Sequence, residues 1–371
     1  MDKDICFTRY FYIKDEVEIA LLMALLNKDI NEATFWAYEL YYSGFVQDFC
    51  NLIYKIYYDF YAICNITYEP CIRKHITKLL DDKPSVYKNG IVKAIIEDLI
   101  IRSFTPDVFV SRIINMLYEN EIELLEDNID LTKLGNLRKQ IKMWIENKNY
   151  SSFASYILSI NSFKELNRIY NTTVTILGVD KKTIKEFKIK YNVTDNIVIL
   201  AHIFNLLITE HKKVVIVMDV EENYNNYDTV IPSSYKQLEI LAKYNINKSN
   251  MLGIFSLVRN NYTHHQLLEH YNVNWLYYAS HSPIWEERIK KYNGKIDKNN
   301  KTVIFENIDD EERFNDLYNY ENDEQTMHTK MCSIANICDN TWQKFYKIFK
   351  LSIISEPIDE LEEMNNDDII Y

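Results

Sequence analysis

Six glycines and six prolines in 371 residues leave this chain very little turn chemistry. A β-sandwich or small barrel needs turn residues roughly every 8–12 positions. Long helices joined by short links need few, so a mainly α architecture is expected. The stretch Asp15 to Cys64 carries the pattern most clearly, with three helical runs in sequence. In the first, Val17, Ala20, Leu21, Ala24 and Leu25 recur at helical spacing, and Asp15 with Glu18 is placed as a capping box. In the second, Asp29 and Glu32 repeat that box, Ala33, Trp36, Ala37 and Leu40 form the apolar stripe, and Gly44 stands where a left-handed residue ends a helix. The third carries Phe45, Phe49, Leu52, Ile53, Ile56, Tyr57 and Phe60. Short links make neighbouring helices antiparallel, and the alanines permit close backbone approach. The expected fold is an irregular helical bundle or α-solenoid in the N-terminal half. The C-terminal half is expected to be helical with a few short β-strands.

Further helices are expected at 70–80, 85–103, 105–117 and 131–147, with one or two more between 150 and 170. The texture changes near Asn171. The β-branched run TTVTILGVD reads as a strand, as do 213–219 and TVIFEN at 302–307, while KIDKNNK between 295 and 301 reads as a turn. The apolar run 196–211 reads as a buried helix, and 181–191 as a short basic one. Helices are also expected at 232–244, 263–271, 283–292 with Ser282 as cap, 309–320 and 327–351. These readings divide the chain into a helical-hairpin or solenoid domain, 1–170, a mixed but mainly helical domain, 171–352, and a flexible acidic tail, 353–371. From Glu356 onward the tail has seven acidic residues and no basic one.

The formal net charge is −12, with no basic footprint of the kind that grips a phosphate backbone, so direct nucleic-acid binding is not expected. Lys181, Lys182, Lys185, Lys188 and Lys190 crowd into ten residues and read as a solvated helix face, with a basic groove as the alternative. Cys6, Cys50, Cys64, Cys71, Cys332 and Cys338 are scattered and read as reduced thiols. The opening MDKDICFTRY lacks the basic start and apolar core of a signal peptide, and no window has the length of a membrane span, so an unsecreted protein with no span is expected.

No phosphate loop, dinucleotide fingerprint or nucleophile elbow occurs in the sequence. Val214 to Glu222, VVIVMDVEE, runs from an apolar segment into acids, which makes Asp219, Glu221 and Glu222 metal candidates or an exposed acidic loop. His264, His265, His270 and His281 are the other metal candidates, although His265 and His270 do not share one helix face. His328, Cys332 and Cys338 place a His and a Cys four apart on one helical face but show no fourth ligand nearby, and Cys64, Cys71 and His75 have the same defect. Ser280, His281 and Ser282 are adjacent and cannot form a triad. Trp275, Tyr277, Tyr278 and Trp285 crowd together as a second core or as a partner-binding surface, and core is favoured. No catalytic residue is assigned, and no cofactor is expected.

EATFWAYELYYSGF (32–45), SPIWEERI (282–289) and YNYENDEQ (318–325) resemble an uncharacterised protein family of the nucleocytoplasmic large DNA viruses, the mimivirus-like giant viruses. The lysine-, asparagine- and isoleucine-rich composition agrees with an AT-rich genome. DINEATFWAYELYYSG is also similar to the helical hairpin of clamp-loader-related ATPases, read here as convergence of helix packing. The giant-virus resemblance implies a viral protein found in the host cytoplasm (the viral factory) or the virion, and transfers no functional residues. With the helical architecture and acidic charge, the expected function is a helical scaffold or protein–protein interaction protein, a virion component or accessory subunit whose partners are other, viral proteins. The alternative is a metal-dependent or nucleic-acid-processing enzyme with its site in 171–307.

Overall fold

The computed structural model describes residues 6–9, 12, 14–81, 87–117, 122–126, 129–179, 193–208, 217–220, 275–318 and 353. Expected helices at 181–191, 232–244, 263–271 and 327–351 and the tail 356–371 lie outside them. The chain is mainly α, with a single antiparallel strand pair among the described residues. It divides into two units: Met1–Ile53, Tyr68–Arg102 and Val214–Phe345 form the first, and Tyr54–Thr67, Ser103–Lys213 and Tyr346–Tyr371 the second.

In the first unit, α1 (Lys14–Leu26) and α2 (Ile30–Tyr42) form an antiparallel hairpin. Asp29 caps α2 as its sequence predicts, accepting from the Glu32 amide at 3.0 Å. Asp15, in contrast, lies inside α1, where Lys14 bridges to Glu18 at 3.3 Å instead of leaving Glu18 to a capping box. Trp36 is fully buried, edge-on to Tyr12 and Phe35 at 5.2 and 4.7 Å. Two further helices, α5 (Glu69–Leu79), with Pro70 in its first turn, and α6 (Lys88–Ile101), complete this layer, α6 packing on both α1 and α2.

The end of α2 is tied down by polar bonds. Arg9 donates to Glu39 Oε2 at 2.9 Å, its amide donates to Ser43 Oγ at 2.8 Å, and Ser43 Oγ donates to the Glu39 carbonyl at 2.6 Å. Gly44 follows at φ +88, the left-handed C′ position expected from sequence, and α3 (Val46–Ile56) begins two residues later. The Ile284 amide donates to the Ser43 carbonyl at 3.3 Å, and the Trp285 indole to the Thr8 carbonyl at 3.1 Å.

Residues 275–318 form a small core of their own. In it, α12 (Trp275–Ala279), α13 (Pro283–Lys291), β1 (Gly294–Asp297), β2 (Thr302–Phe305) and α14 (Ile308–Tyr318) enclose Phe7, Tyr277, Tyr278, Trp285, Ile289 and Phe314. The segment expected as a turn begins with a strand. Gly294 pairs with Phe305 and Asp297 with Thr302, and Asp297 Oδ1 accepts the Asn299 and Asn300 amides to reverse the chain. Ser282 holds the N-cap position of α13, but its hydroxyl donates to the Ala279 carbonyl at 3.1 Å. Burial beside the end of α12 leaves that carbonyl as its partner.

In the second unit, a π-helical turn at Tyr57–Tyr61 leads into α4 (Ala62–Asn65), and the Ala62 amide reaches back to the Tyr57 carbonyl. Around it stand α7 (Asp107–Leu117), α8 (Leu134–Glu146), α9 (Tyr150–Ser159), α10 (Phe163–Ile176) and α11 (Asp195–Leu207). Apolar on most of its circumference, α11 packs on α4, α7, α9, α10 and the π turn, burying Val198, Ile199, Leu200, Ala201, Ile203 and Phe204.

The expected strand at Asn171 is helical: α10 runs through Ile176 and ends at Gly178, φ +68. Its threonines bond back to carbonyls four residues earlier, Thr172 to Arg168 at 2.7 Å, Thr173 to Ile169 at 2.9 Å and Thr175 to Asn171 at 2.8 Å. With the hydroxyls satisfied locally, burial of Leu166, Ile169, Tyr170 and Val174 decides for helix over β propensity. Residues 217–219, the described part of the strand expected at 213–219, have no strand pairing.

Trp36→Ala is expected to cost about 3–5 kcal/mol in urea unfolding, the usual loss for a buried large aromatic. Gly44→Ala is expected to cost at least the ~1–2 kcal/mol of a left-handed conformation. The Cβ it adds would meet Pro283 Cβ at 2.6 Å, so an unchanged midpoint would show that the α2–α13 junction is loose.

Candidate functional site

A densely bonded polar cluster lies between α5 and α6. Its centre is Asp98, a carboxylate on the apolar face of α6 with no exposure. The geometry of α6 places Arg102 one turn on, and its guanidinium donates to Asp98 Oδ1 at 3.0 Å. The Met218 amide donates to the same oxygen at 3.0 Å, and the Tyr68 hydroxyl to Oδ2 at 2.9 Å. Arg102 also lies over the Tyr68 ring, 3.8 Å from its centre. Burial, then the Asp98 charge, raises the Tyr68 phenol well above its ordinary value, so it stays a donor. At the end of α6, Lys28 donates to the Arg102 carbonyl at 2.9 Å.

On α5, one helical turn puts Cys71 and His75 side by side, Sγ to Nε2 4.0 Å. An Asp98 carboxylate oxygen joins them, all three donor atoms lying within 4.8 Å of one another. Burial pushes the Cys71 thiol up, with Asp98 adding to it, and pushes the His75 imidazole down. Both groups are therefore neutral at pH 7. Sequence alone groups Cys71 and His75 with Cys64 and shows no fourth ligand, whereas the converging donors are Cys71, His75 and Asp98, without Cys64. Asp98 was legible only as a carboxylate on the stripe formed by Ile91, Ala94, Ile95 and Leu99.

In the second unit, α8 and α10 border an open groove of about 700 Å³. The wall from α8 is Leu134 and Arg138. The wall from α10 includes Lys164, Arg168, Asn171 and Thr175, which recur on one face of the helix. Arg168 is fixed in place, donating to the carbonyls of Thr132 at 2.7 Å and Leu131 at 3.1 Å. The buried side of α8 is anchored at the Glu123 carbonyl, which accepts from Trp144 at 2.8 Å and Gln140 at 3.1 Å. Leu134 is 59% exposed at the mouth of the groove. Three cations against Glu165 make the groove basic in a chain of net charge −12.

The residues singled out from sequence are dispersed. Asp219 is exposed and follows Met218, whose amide holds Asp98, but it is not one of the three converging donors. His281 is half-buried, edge-on to Tyr277 and Tyr278 at 4.9 and 6.0 Å. His264, His265 and His270, the lysines of 181–190, Glu221 and Glu222, and His328 with Cys332 and Cys338 lie outside the described residues. Tyr277, Tyr278 and Trp285 are buried and Trp275 packs against them, so these rings are occupied within the small core. The Cys6 and Cys50 thiols are pushed up to about 12 by burial, and Cys64 to about 11. No described helix is long and apolar enough to cross a membrane. No protein-family model matches the chain, and no curated protein or solved structure matches it.

Asp98→Asn is expected to cost about 3–5 kcal/mol of stability, since it leaves the buried Arg102 charge uncompensated. Urea unfolding checks this, and a loss below about 1 kcal/mol, the range of surface pairs, would show that solvent reaches the cluster.

Proposed function

We propose that this protein works by binding other proteins, as a helical scaffold or accessory subunit, and that the α8–α10 groove is a contact site for an acidic segment of a partner. The observation that carries this reading is the groove itself, where exposed Arg138 and Lys164 stand beside the fixed Arg168 and the uncovered Leu134. An acidic peptide with one apolar side chain complements it in charge and in chemistry. Charges at such a rim steer encounter and select partners more than they add affinity, which suits a protein that assembles with others. Binding rather than catalysis is also supported by the described thiols, which burial keeps protonated, and by the buried carboxylates, of which Glu39, Asp59 and Asp98 are each bonded to an arginine and Asp107 accepts from the Thr105 hydroxyl and the Ile353 amide. The resemblance to the giant-virus family is the ground for seeking the partner among viral proteins, in the infected cell's cytoplasm or in the virion.

The test compares the full-length protein with Arg138→Glu/Lys164→Glu as bait in an infected-cell extract, read by quantitative mass spectrometry after circular dichroism has verified both folds. A defined set of proteins is expected on the unaltered chain, reduced at least tenfold on the double variant and weakened by added salt. An identical set on both baits overturns the groove as the contact site. Material that nuclease removes overturns the protein-binding reading.

A further inference from the structure

We propose that Cys71, His75 and Asp98 form a site for one divalent cation of zinc type, clipping α5 to α6. The donor set is the first ground. A thiol, an imidazole and a carboxylate are the three ligand types of protein zinc sites, and here their atoms converge to within 4.8 Å. Ligand atoms around tetrahedral zinc, with bonds of about 2.0–2.3 Å, stand roughly 3.3–3.8 Å apart, so the three need to close by about 1 Å. The Cys71–His75 separation of 4.0 Å is already near that geometry.

The second ground is independent of the donor set. His75 Nδ1 is buried without a hydrogen-bond partner among the described residues, and the other ring nitrogen has only the weak thiol contact. A neutral imidazole carries one lone pair, and a buried lone pair left unmet is costly. With the proton on Nδ1, that lone pair lies on Nε2, which faces Cys71, and a cation there would take it up; the buried Nδ1–H is not met by the metal.

The third ground is the setting of Asp98. Tyr68, Arg102 and the Met218 amide hold its carboxylate in one orientation, with a lone pair of Oδ2 still free after the Tyr68 bond. Outer bonds of this kind orient metal-binding carboxylates. Binding replaces the Cys71 S–H bond by S–metal, the proton passes to solvent, and no electrons are exchanged. Cys71 is the only half-exposed member of the three, so the fourth position of the cation opens to solvent on its side.

The probe is cobalt(II), added to untagged full-length protein, with metal content measured after dialysis and the absorption spectrum recorded. One cobalt per chain with a thiolate-to-cobalt charge-transfer band is expected, displaced by zinc. Cys71→Ser is expected to lose the band, and His75→Gln to weaken cobalt binding at least tenfold, both with folded circular dichroism spectra. Because Cys332 and Cys338 are also present, Cys332→Ala/Cys338→Ala is expected to keep the band. A band that survives Cys71→Ser, or that disappears with Cys332 and Cys338, overturns the assignment, as does wild-type protein that retains no cobalt. If His75→Gln fails to fold, Cys71→Ser, made at a half-exposed position, still decides.

Discussion

Glu39 is a carboxylate with no solvent exposure on the second helix of the chain, and the first unit is organised around keeping it paired. An ion taken from water recovers its hydration only through close, well-aligned partners. Arg9 supplies them by lying along the end of α2, where its guanidinium meets Glu39 and also sits 4.7 Å from the Tyr42 ring centre. That position draws residues 7–9 inward, so Phe7 enters the core of residues 275–318 and the Thr8 carbonyl meets Trp285. The Ser43 hydroxyl and carbonyl complete the junction, one toward α2 and the other toward Ile284. A single buried charge thus fixes a helix end, an N-terminal segment and a helix start far away in sequence.

The second unit solves a similar problem with a different backbone. Asp59 lies in the π turn and is met by Arg112 from α7, through Nη2 at 2.7 Å and Nε at 3.3 Å. A π turn widens the helix and frees a carbonyl from the regular ladder. Here the Phe60 carbonyl accepts the Thr105 amide at 2.9 Å, which ties the segment before α7 to the turn. Asn65 adds bonds to the carbonyls of Tyr61 and Ser103 at 2.9 and 2.7 Å. Against this frame α11 can be apolar almost throughout, with its two asparagines reaching backbone carbonyls, Asn205 to Ile63 and Asn196 to Leu158.

Buried arginine–carboxylate pairs recur in both units, yet the Asp98 cluster differs from the others in what surrounds it. Glu39 and Asp59 are each met by an arginine, whereas Asp98, beside its arginine, also faces a thiol and an imidazole from the adjacent helix. The basic groove differs in another way: its cations line an open surface in a strongly acidic chain, and Arg168 is held there by bonds to the Thr132 and Leu131 carbonyls. The first feature supports the inference of a cation, and the second the proposal of an acidic partner. The two rest on separate residues in separate units.

Local sequence determined the helices, their punctuation and much of their buried faces, because capping and helical periodicity act over a few residues. Asp29, Gly44, Pro70 and the stripe through Trp36 were all legible for that reason, as was the buried helix that became α11. Where propensity and packing disagreed, as in the β-branched run of α10, packing prevailed, and sequence could not foresee the neighbours that buried it. The aromatic crowd at 275–285 was visible, but only the fold assigned it to a core. The same holds for the polar clusters. Arg9 with Glu39, Arg112 with Asp59, and Asp98 with Cys71 and His75 are made by side chains far apart in the chain. Their partners are chosen by how helices pack, and packing is a property of the whole core rather than of any local stretch.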